Sequence, residues 1–396
     1  MRVNEMDKQR MRWVLIGSAL LGELLSVLLG VSGRVSAQRG GWSEPVMLST
    51  NTVSSWWSDV TVDGYGRPYV VWNSGRLMDD ELDLLMYSAW DGQEWSEAKD
   101  IVLTARGGWT VRPAIAVDKN STLHVTYRGY TMIYYTQSPA HSAENAASWT
   151  IHRRLSGYLA AYYSDIAIDS KGHVHVVWNE QVTLEDNTVC PNCSDIFYRR
   201  STDGGKTWSA PKNLSKSDFG SVKPQIEIDR HDGIHVVWEE GEDWYVNEGY
   251  PVASAYVHSL DGGSTWSEPT FFSSVFGPPQ QITLGLGREN ELVVVWRIPA
   301  DNTLFYQHSI DNGASWSPPL PIPRVIAKDW TAFTLDSYDA ATDSGGNVHL
   351  VVLGRLSPSE ESLSVLHLVW NGTTWSSPVR VFTSLGHRYL CGPAVP

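Results

Sequence analysis

Apolar and polar positions alternate along most of the chain, and one stretch of alternation returns six times. The copies run from Asp-Val-Thr-Val-Asp63 to Trp72, from Ala-Ile-Ala-Val-Asp118 to Tyr127 and from Asp-Ile-Ala-Ile-Asp169 to Trp178. The remaining three run from Gln-Ile-Glu-Ile-Asp229 to Trp238, from Ile-Thr-Leu-Gly-Leu-Gly287 to Trp296 and from Ala-Ala-Thr-Asp343 to Val352. In every copy the Asp, or Gly287, precedes the closing large residue by nine positions. Period-two alternation on both sides of a Gly, Asp, Asn and Lys turn predicts a β-hairpin. The turn positions are 55, 51, 60, 58 and 56 residues apart, which predicts six equivalent units.

A second element follows the hairpins. It reads Ser201-Thr-Asp203-Gly-Gly-Lys-Thr-Trp208, Ser259-Leu-Asp261-Gly-Gly-Ser-Thr-Trp266 and Ser309-Ile-Asp311-Asn-Gly-Ala-Ser-Trp316. Shortened forms occur at Asp91 to Trp95 and Asn371 to Trp375, and a worn form ends at Trp149. The Asp accepts backbone N–H groups inside the turn, Gly supplies positive φ, and Trp plugs the turn against the next strand.

This Ser-x-Asp-x-Gly-x-x-Trp element resembles the Asp-box, or bacterial neuraminidase repeat, of sialidase-like propellers, over roughly residues 42 to 380. The resemblance implies an all-β fold: a six-bladed β-propeller of four-stranded antiparallel blades in one domain, residues 38–396, with a short C-terminal tail. It also implies that Asp203, Asp261 and Asp311 are structural turn braces. Residues 42 to 49 repeat the pattern of a fourth strand and are expected to form an amino-terminal strand that helps to close the ring.

Composition adds three points. About ten of the 19 tryptophans are explained as box plugs, strand openers and hairpin ends, whereas Trp56, Trp57, Trp109, Trp244 and Trp330 fall in predicted loops where blade packing does not require them. A net charge of −14, from 44 acidic and 30 basic residues, argues against a nucleic acid partner, which would require a basic face. The chain opens with Arg2, Lys8, Arg10 and Arg12, then an apolar run from Trp13 to Val31 and Val35-Ser36-Ala37. That order predicts a secretory signal peptide over residues 1–37 and a secreted or extracytoplasmic protein with no membrane span after cleavage. The alternative is an uncleaved anchor, which Glu23 in the run disfavours. Cys190-Pro-Asn-Cys193 is expected to close a loop as a disulfide in an oxidising compartment, leaving Cys391. No cofactor is expected and no metal set is evident; His124, His175, His235 and His349 occupy equivalent positions of separate blades, too far apart for one ion. A monomer is expected.

If the Asp-boxes share one face with the hairpin turns, the opposite face over the central channel is the default ligand site. Residues predicted there include Trp57, Asp59, Trp109, Arg112, Arg128, Tyr163, Asp165, Glu180, Lys223, Glu239, Arg297, Trp330, Tyr338, Asp339 and Arg355. Aromatic rings stack on pyranose faces, carboxylates can act as acid and base, and guanidinium groups grip carboxylates in bidentate fashion. The substrate-binding set is thus Arg112, Arg128, Arg297, Arg355, Trp57, Trp109, Tyr163 and Trp330, and the catalytic set Tyr338, Glu180, Glu239 and Asp59.

The sialidase resemblance further implies a three-arginine carboxylate clamp, a Tyr nucleophile with a partner Glu, and a loop Asp. Tyr338, entering the first strand of the last blade, matches the placement of that Tyr. The first-blade Arg-Ile-Pro motif is missing, because that stretch reads Ser55-Trp56-Trp57-Ser58-Asp59, whereas Arg297-Ile298-Pro299 follows a second strand. Blade four carries Lys223, Gln225 and Glu239 where the second Arg and partner Glu belong. Two function classes follow: a glycan-active enzyme, either a glycosidase or a polysaccharide lyase, and a non-catalytic propeller binding glycans or proteins at the cell surface.

Overall fold

The computed structural model describes residues 41–49, 54–75, 84–102, 110–157, 159–182, 193–241, 251–329 and 337–383. Within them 24 strands form six blades. Blade one is β1 (Ser54–Val62), β2 (Pro68–Gly75), β3 (Leu84–Ala89) and β4 (Lys99–Asp100). Blade two is β5 (Thr110–Val117), β6 (Thr122–Gly129), β7 (Met132–Pro139) and β8 (Arg153–Arg154). Blade three is β9 (Ala161–Ile168), β10 (Val174–Gln181), β11 (Ser194–Ser201) and β12 (Lys212–Asn213). Blade four is β13 (Gly220–Ile228), β14 (Ile234–Gly241), β15 (Pro251–Ser259) and β16 (Thr270–Phe272). Blade five is β17 (Gln280–Leu286), β18 (Leu292–Arg297), β19 (Thr303–Ser309) and β20 (Leu320–Ala327). Blade six is β21 (Tyr338–Thr342), β22 (Val348–Arg355), β23 (Ser364–Trp370) and β24 (Val379–Thr383). Each blade is an antiparallel meander. A short pairing of Ile326 and Ala327 with Arg355 and Gly354 also stitches β20 to β22.

The second strands are buried along almost their whole length, because each lies between neighbours in its own sheet and blades on either side. That explains their near-continuous apolar runs such as Val174-His-Val-Val-Trp178. Five of the blade joints are filled by shared apolar clusters: Val71 and Tyr87 with Val125, Ile133 and Tyr135 with Trp178, Tyr198 with Trp238, Phe272 with Trp296, and Val295 with Trp370. A fully buried side chain of this kind contributes roughly 1.5 to 3 kcal/mol.

The sixth joint is built differently. Residues 42 to 49 do not form the expected strand, and all four strands of blade six come from the C-terminal part of the chain. Pro45 lacks a ladder donor, and the segment is held through side chains instead. Trp42 meets His367 of blade six edge-on at 5.2 Å between ring centres, and Leu48 packs on Val70 and Trp72 of blade one.

The Asp-box turns lie at the same end as the hairpin turns, where the Asn312 N–H donates to the Asn290 carbonyl at 3.0 Å. In the box of blade three, Asp203 Oδ1 accepts from Ser201 Oγ (2.7 Å) and the Thr207 N–H (2.8 Å), and Oδ2 accepts from Thr207 Oγ1 (2.6 Å). Asp261 and Asp311 bind their Thr265 and Ser315 in the same way. Trp208, Trp266 and Trp316 each rest edge-on against a Tyr of the preceding blade: Tyr135, Tyr198 and Tyr256, at 5.0, 4.9 and 5.2 Å. The boxes therefore lock each blade to the one before it.

Cys193 is buried and disulfide-bonded. Cys190, its expected partner, lies outside the described residues, as do Cys391, Trp109, Trp330 and the expected signal peptide. Among the described residues no helix is long and apolar enough to cross a membrane.

Candidate functional site on the central channel

The first strands of the blades surround a central cavity of about 910 Å³. Near the channel mouth the first strand of each of blades one to five is interrupted by a bulge in which two residues oppose one. The bulged residues are Trp57, Arg112, Tyr163, Lys223 and Gln281, all of which line the cavity. Four of them are in the left-handed region although none is glycine: φ is 45° at Trp57, 54° at Arg112, 53° at Lys223 and 52° at Gln281. Such a conformation costs of order 1 to 3 kcal/mol each, persists where surrounding contacts fix it, and concentrates at functional sites. A bulge re-aims a side chain, and here it turns a strand-edge residue toward the channel mouth.

At this mouth the Arg112 guanidinium lies over Trp57 (4.9 Å to the ring centre) and over Tyr163 (4.0 Å). Lys223 Nζ is 5.9 Å from the Tyr163 ring and 3.6 Å from Glu239 Oε1. The same Oε1 accepts the Gln281 N–H at 3.1 Å, and the Gln281 carbonyl accepts the Tyr338 hydroxyl. That hydroxyl is also 3.0 Å from the Gln280 carbonyl. Glu239 and Tyr338, from different blades, thus converge on one bulged residue.

Below the mouth, one position per first strand forms an inner ring: Asp59, Ala114, Asp165, Gln225, Thr283 and Asp339. Asp59 accepts the Val60 and Ile115 N–H groups, each at 2.7 Å, so it bridges blades one and two. Asp165 accepts from Ile166 and Ile226, each at 2.8 Å, bridging blades three and four. Gln225 accepts from Leu284 and donates to Asp339, which also takes the Thr283 hydroxyl at 2.9 Å. Burial pushes the Asp59 carboxyl up to about 7, with a smaller push from Asp339. It raises Asp165 to about 8, and there Asp59 and Asp339 add like-charge repulsion.

The other expected site residues are distributed around this channel rather than gathered on it. The four arginines form two groups. Arg112 lies on Tyr163, and Arg128 lies over the neighbouring Tyr162 at 4.4 Å. Arg297 is fully buried and donates to Gln281 Oε1 (3.3 Å), the Lys328 carbonyl (3.1 Å) and Asn302, while Arg355 pairs with Asp329 at 3.2 Å. Among the four, Arg112 is the one that lines the cavity. Arg128 and Arg297 hold equivalent positions near the ends of the second strands of blades two and five, and the ring carries these positions apart.

Glu180 accepts from Trp178 Nε1 and the Gly157 N–H, both at 2.9 Å. Glu240 repeats the arrangement beneath Trp238 at 2.6 Å, so a Trp-x-Glu brace recurs in blades three and four away from the cavity lining. The sequence placed Asp59, Asp165 and Asp339 together among the residues entering the first strands on the ligand face, but gave a catalytic role to Asp59 alone. Their signal was present as an Asp four residues before the hairpin Asp, in Ser-Asp59-Val-Thr-Val-Asp63 and Ser-Asp165-Ile-Ala-Ile-Asp169.

A family profile described as a BNR repeat-like domain matches residues 166–389, more than half of the chain. The chain belongs to the BNR repeat-like family. Its fold is that of a sialidase-like BNR propeller. A protein of unknown function from Dyadobacter fermentans aligns with a TM-score of 0.54 at 11% identity, over 82% of this chain and 96% of that one. A GH93 α-L-arabinofuranosidase of Fusarium graminearum, solved in complex with arabinobiose, aligns with a TM-score of 0.54 at 12% identity, over 80% and 92%. Among curated protein sequences none matches the chain.

Proposed function

We propose that this BNR propeller is a secreted glycan-acting protein of the glycoside hydrolase type, with its site at the channel mouth opposite the Asp-boxes. The observation that carries the reading is the convergence of Tyr338 and Glu239 on Gln281, beside the two cations Arg112 and Lys223. The resemblance to sialidases implies a Tyr nucleophile with a partner Glu, and these two residues supply both groups. Attack by a phenol oxygen on an anomeric carbon needs a base to take its proton, the part assigned to Glu239. Departure of the aglycone needs an acid, and Asp59, protonated near neutral pH, is the candidate on the cavity wall. Arg112 and Lys223 suit a carboxylate-bearing sugar, because both place positive charge where the cavity opens.

Two observations favour the second reading, a non-catalytic glycan-binding propeller. The Tyr338 hydroxyl is committed to two backbone carbonyls, and the Trp57–Arg112–Tyr163 stack offers flat rings without a reacting group.

A panel of 4-methylumbelliferyl glycosides, including the sialoside and the α-L-arabinofuranoside, tests the enzyme reading, with acidic polysaccharides followed by ultraviolet absorbance for lyase products. Hydrolysis that disappears in both Tyr338→Phe and Glu239→Gln supports it. Absence of turnover on the whole panel, with binding to a glycan array that Arg112→Ala removes, leaves the binding reading in its place.

A further inference from the structure

Four blades share a hairpin device in which the turn Asp faces the strand-two His six residues later: Asp118 with His124, Asp169 with His175, Asp229 with His235 and Asp343 with His349. In blades four and six the His Nε2 hydrogen-bonds the Asp Oδ2, at 3.1 and 3.0 Å. In blades two and three the Nε2 stands farther off, at 3.8 and 3.5 Å, and makes no hydrogen bond although both histidines are buried. Blade three differs from blade two in that its Asp oxygen is taken by a second histidine, His173 Nδ1, at 2.8 Å. His173 occupies the position held by Arg67, Thr122, Gly233, Glu291 and Asn347 in the other blades, so the second histidine is peculiar to this hairpin.

We propose that Asp169, His173 and His175 form a binding site for a first-row divalent transition metal ion, Zn²⁺ being the representative. One ligand atom from each lies within 4.8 Å of the others. Two ligands on a tetrahedral zinc stand about 3.3 Å apart, as metal–nitrogen bonds of about 2.0 Å require. The two oxygen–nitrogen separations, 2.8 and 3.5 Å, bracket that spacing. Imidazole with carboxylate is a donor set that suits zinc, copper, iron or nickel rather than calcium.

The surroundings support ligation. His175 Nδ1 is 2.8 Å from the Tyr198 hydroxyl, which can accept the Nδ1 proton and leave Nε2 with its lone pair aimed at Asp169. The Asp169 carboxylate is already fixed, with Oδ1 accepting the Lys171 and His173 N–H groups at 3.0 and 2.8 Å, so Oδ2 is presented in one direction. The His173 side chain is 27% exposed, which gives an ion a route in and leaves coordination positions for water. Across the blade boundary Asp232 binds the Ser170 N–H at 2.8 Å and Lys171 at 3.2 Å. A metal on the blade-three turn would therefore stiffen the contact between blades three and four.

The experiment uses the full chain without a histidine tag, stripped with a chelator and titrated calorimetrically with Zn²⁺, next to His173→Asn. Asn is the natural residue at this position of blade six, where Asn347 Nδ2 binds Asp343 Oδ2 at 2.9 Å, so the variant keeps a partner for Asp169. The expected result is one zinc per wild-type chain, affinity reduced by at least about tenfold in His173→Asn, and a zinc-dependent rise in Tm confined to the wild type. Co²⁺ in place of zinc should give visible absorption bands that the variant lacks. Equal zinc affinity in both proteins, or no saturable binding by the wild type, overturns the assignment. Circular dichroism of the metal-free proteins separates loss of the ligand from loss of the fold.

Discussion

The Arg112 guanidinium sits 4.0 Å above the centre of the Tyr163 ring, across the boundary between blades two and three. Both residues are placed by bulges that turn them toward the channel. A cation held between two rings keeps its charge at the channel mouth while its apolar stem is covered.

Replacing Arg112 by Lys should separate charge from stacking. Lys keeps the charge but loses the planar guanidinium that lies over Trp57 and Tyr163. We expect glycan affinity to fall about tenfold, in line with the ~0.5 to 2 kcal/mol of such stacks, with little change in Tm. Arg112→Ala should fall further. Unchanged affinity in both variants, measured by calorimetry, would move the ligand site away from the mouth.

The inner-ring carboxyls give a pH dependence with a definite sign. Asp59 and Asp165 are raised to about 7 and about 8 in the folded protein, from 3.8. The native state therefore holds protons that the unfolded chain releases, and their contribution to stability is fully present below about pH 4. It is lost as pH rises through 7 and 8. Tm should decline between pH 5 and pH 9. Asp165→Asn should be less stable at pH 5, because one amide hydrogen bond becomes a donor–donor contact, but its decline should be shallower. Parallel pH profiles for the two proteins would refute the assignment.

The Asp-box turn of blade three contains two adjacent glycines with opposite surroundings. Gly204 has φ +68° and open space where a Cβ would lie, whereas Gly205 has φ +83° and a Cβ there would come 2.1 Å from the Tyr135 hydroxyl. Gly204→Ala should cost only the left-handed conformation, about 1 to 2 kcal/mol. Gly205→Ala adds a clash with the tyrosine that carries Trp208, and should cost roughly 2 to 5 kcal/mol. Urea unfolding of the two variants reads the difference directly. Equal costs would mean that the box does not clamp neighbouring blades.

Much of the fold was legible in the sequence because a propeller repeats its physics. The Asp-to-Trp interval marks a hairpin of fixed length, and Asp203, Asp261 and Asp311 announce turns through side-chain chemistry that needs no tertiary context. The site was less legible. Trp57, Arg112, Lys223 and Gln281 face the channel through positive φ at ordinary residues, which no alternation pattern encodes. Arg128 and Arg297 looked like partners because they hold equivalent positions after the second-strand hairpin run, but a ring distributes equivalent positions instead of collecting them, and Arg112 enters from a first strand. His173 carried no warning either, since its significance lies in what the other five hairpins have at that position.

Among the described residues, the joint between blades six and one differs from the other five, because residues 42 to 49 fill it through Trp42 and Leu48 and no apolar cluster is shared by the two blades. A ring with one dissimilar joint has a preferred place to part. Under mild denaturant, amide exchange should begin in β1 and β21, and removing residues 42 to 49 should turn a single unfolding transition into one that starts at this seam. Uniform exchange around the ring would show that the joint is as strong as the rest. The segment then acts as a keystone: a short piece of chain without secondary structure on which the closure of six blades depends.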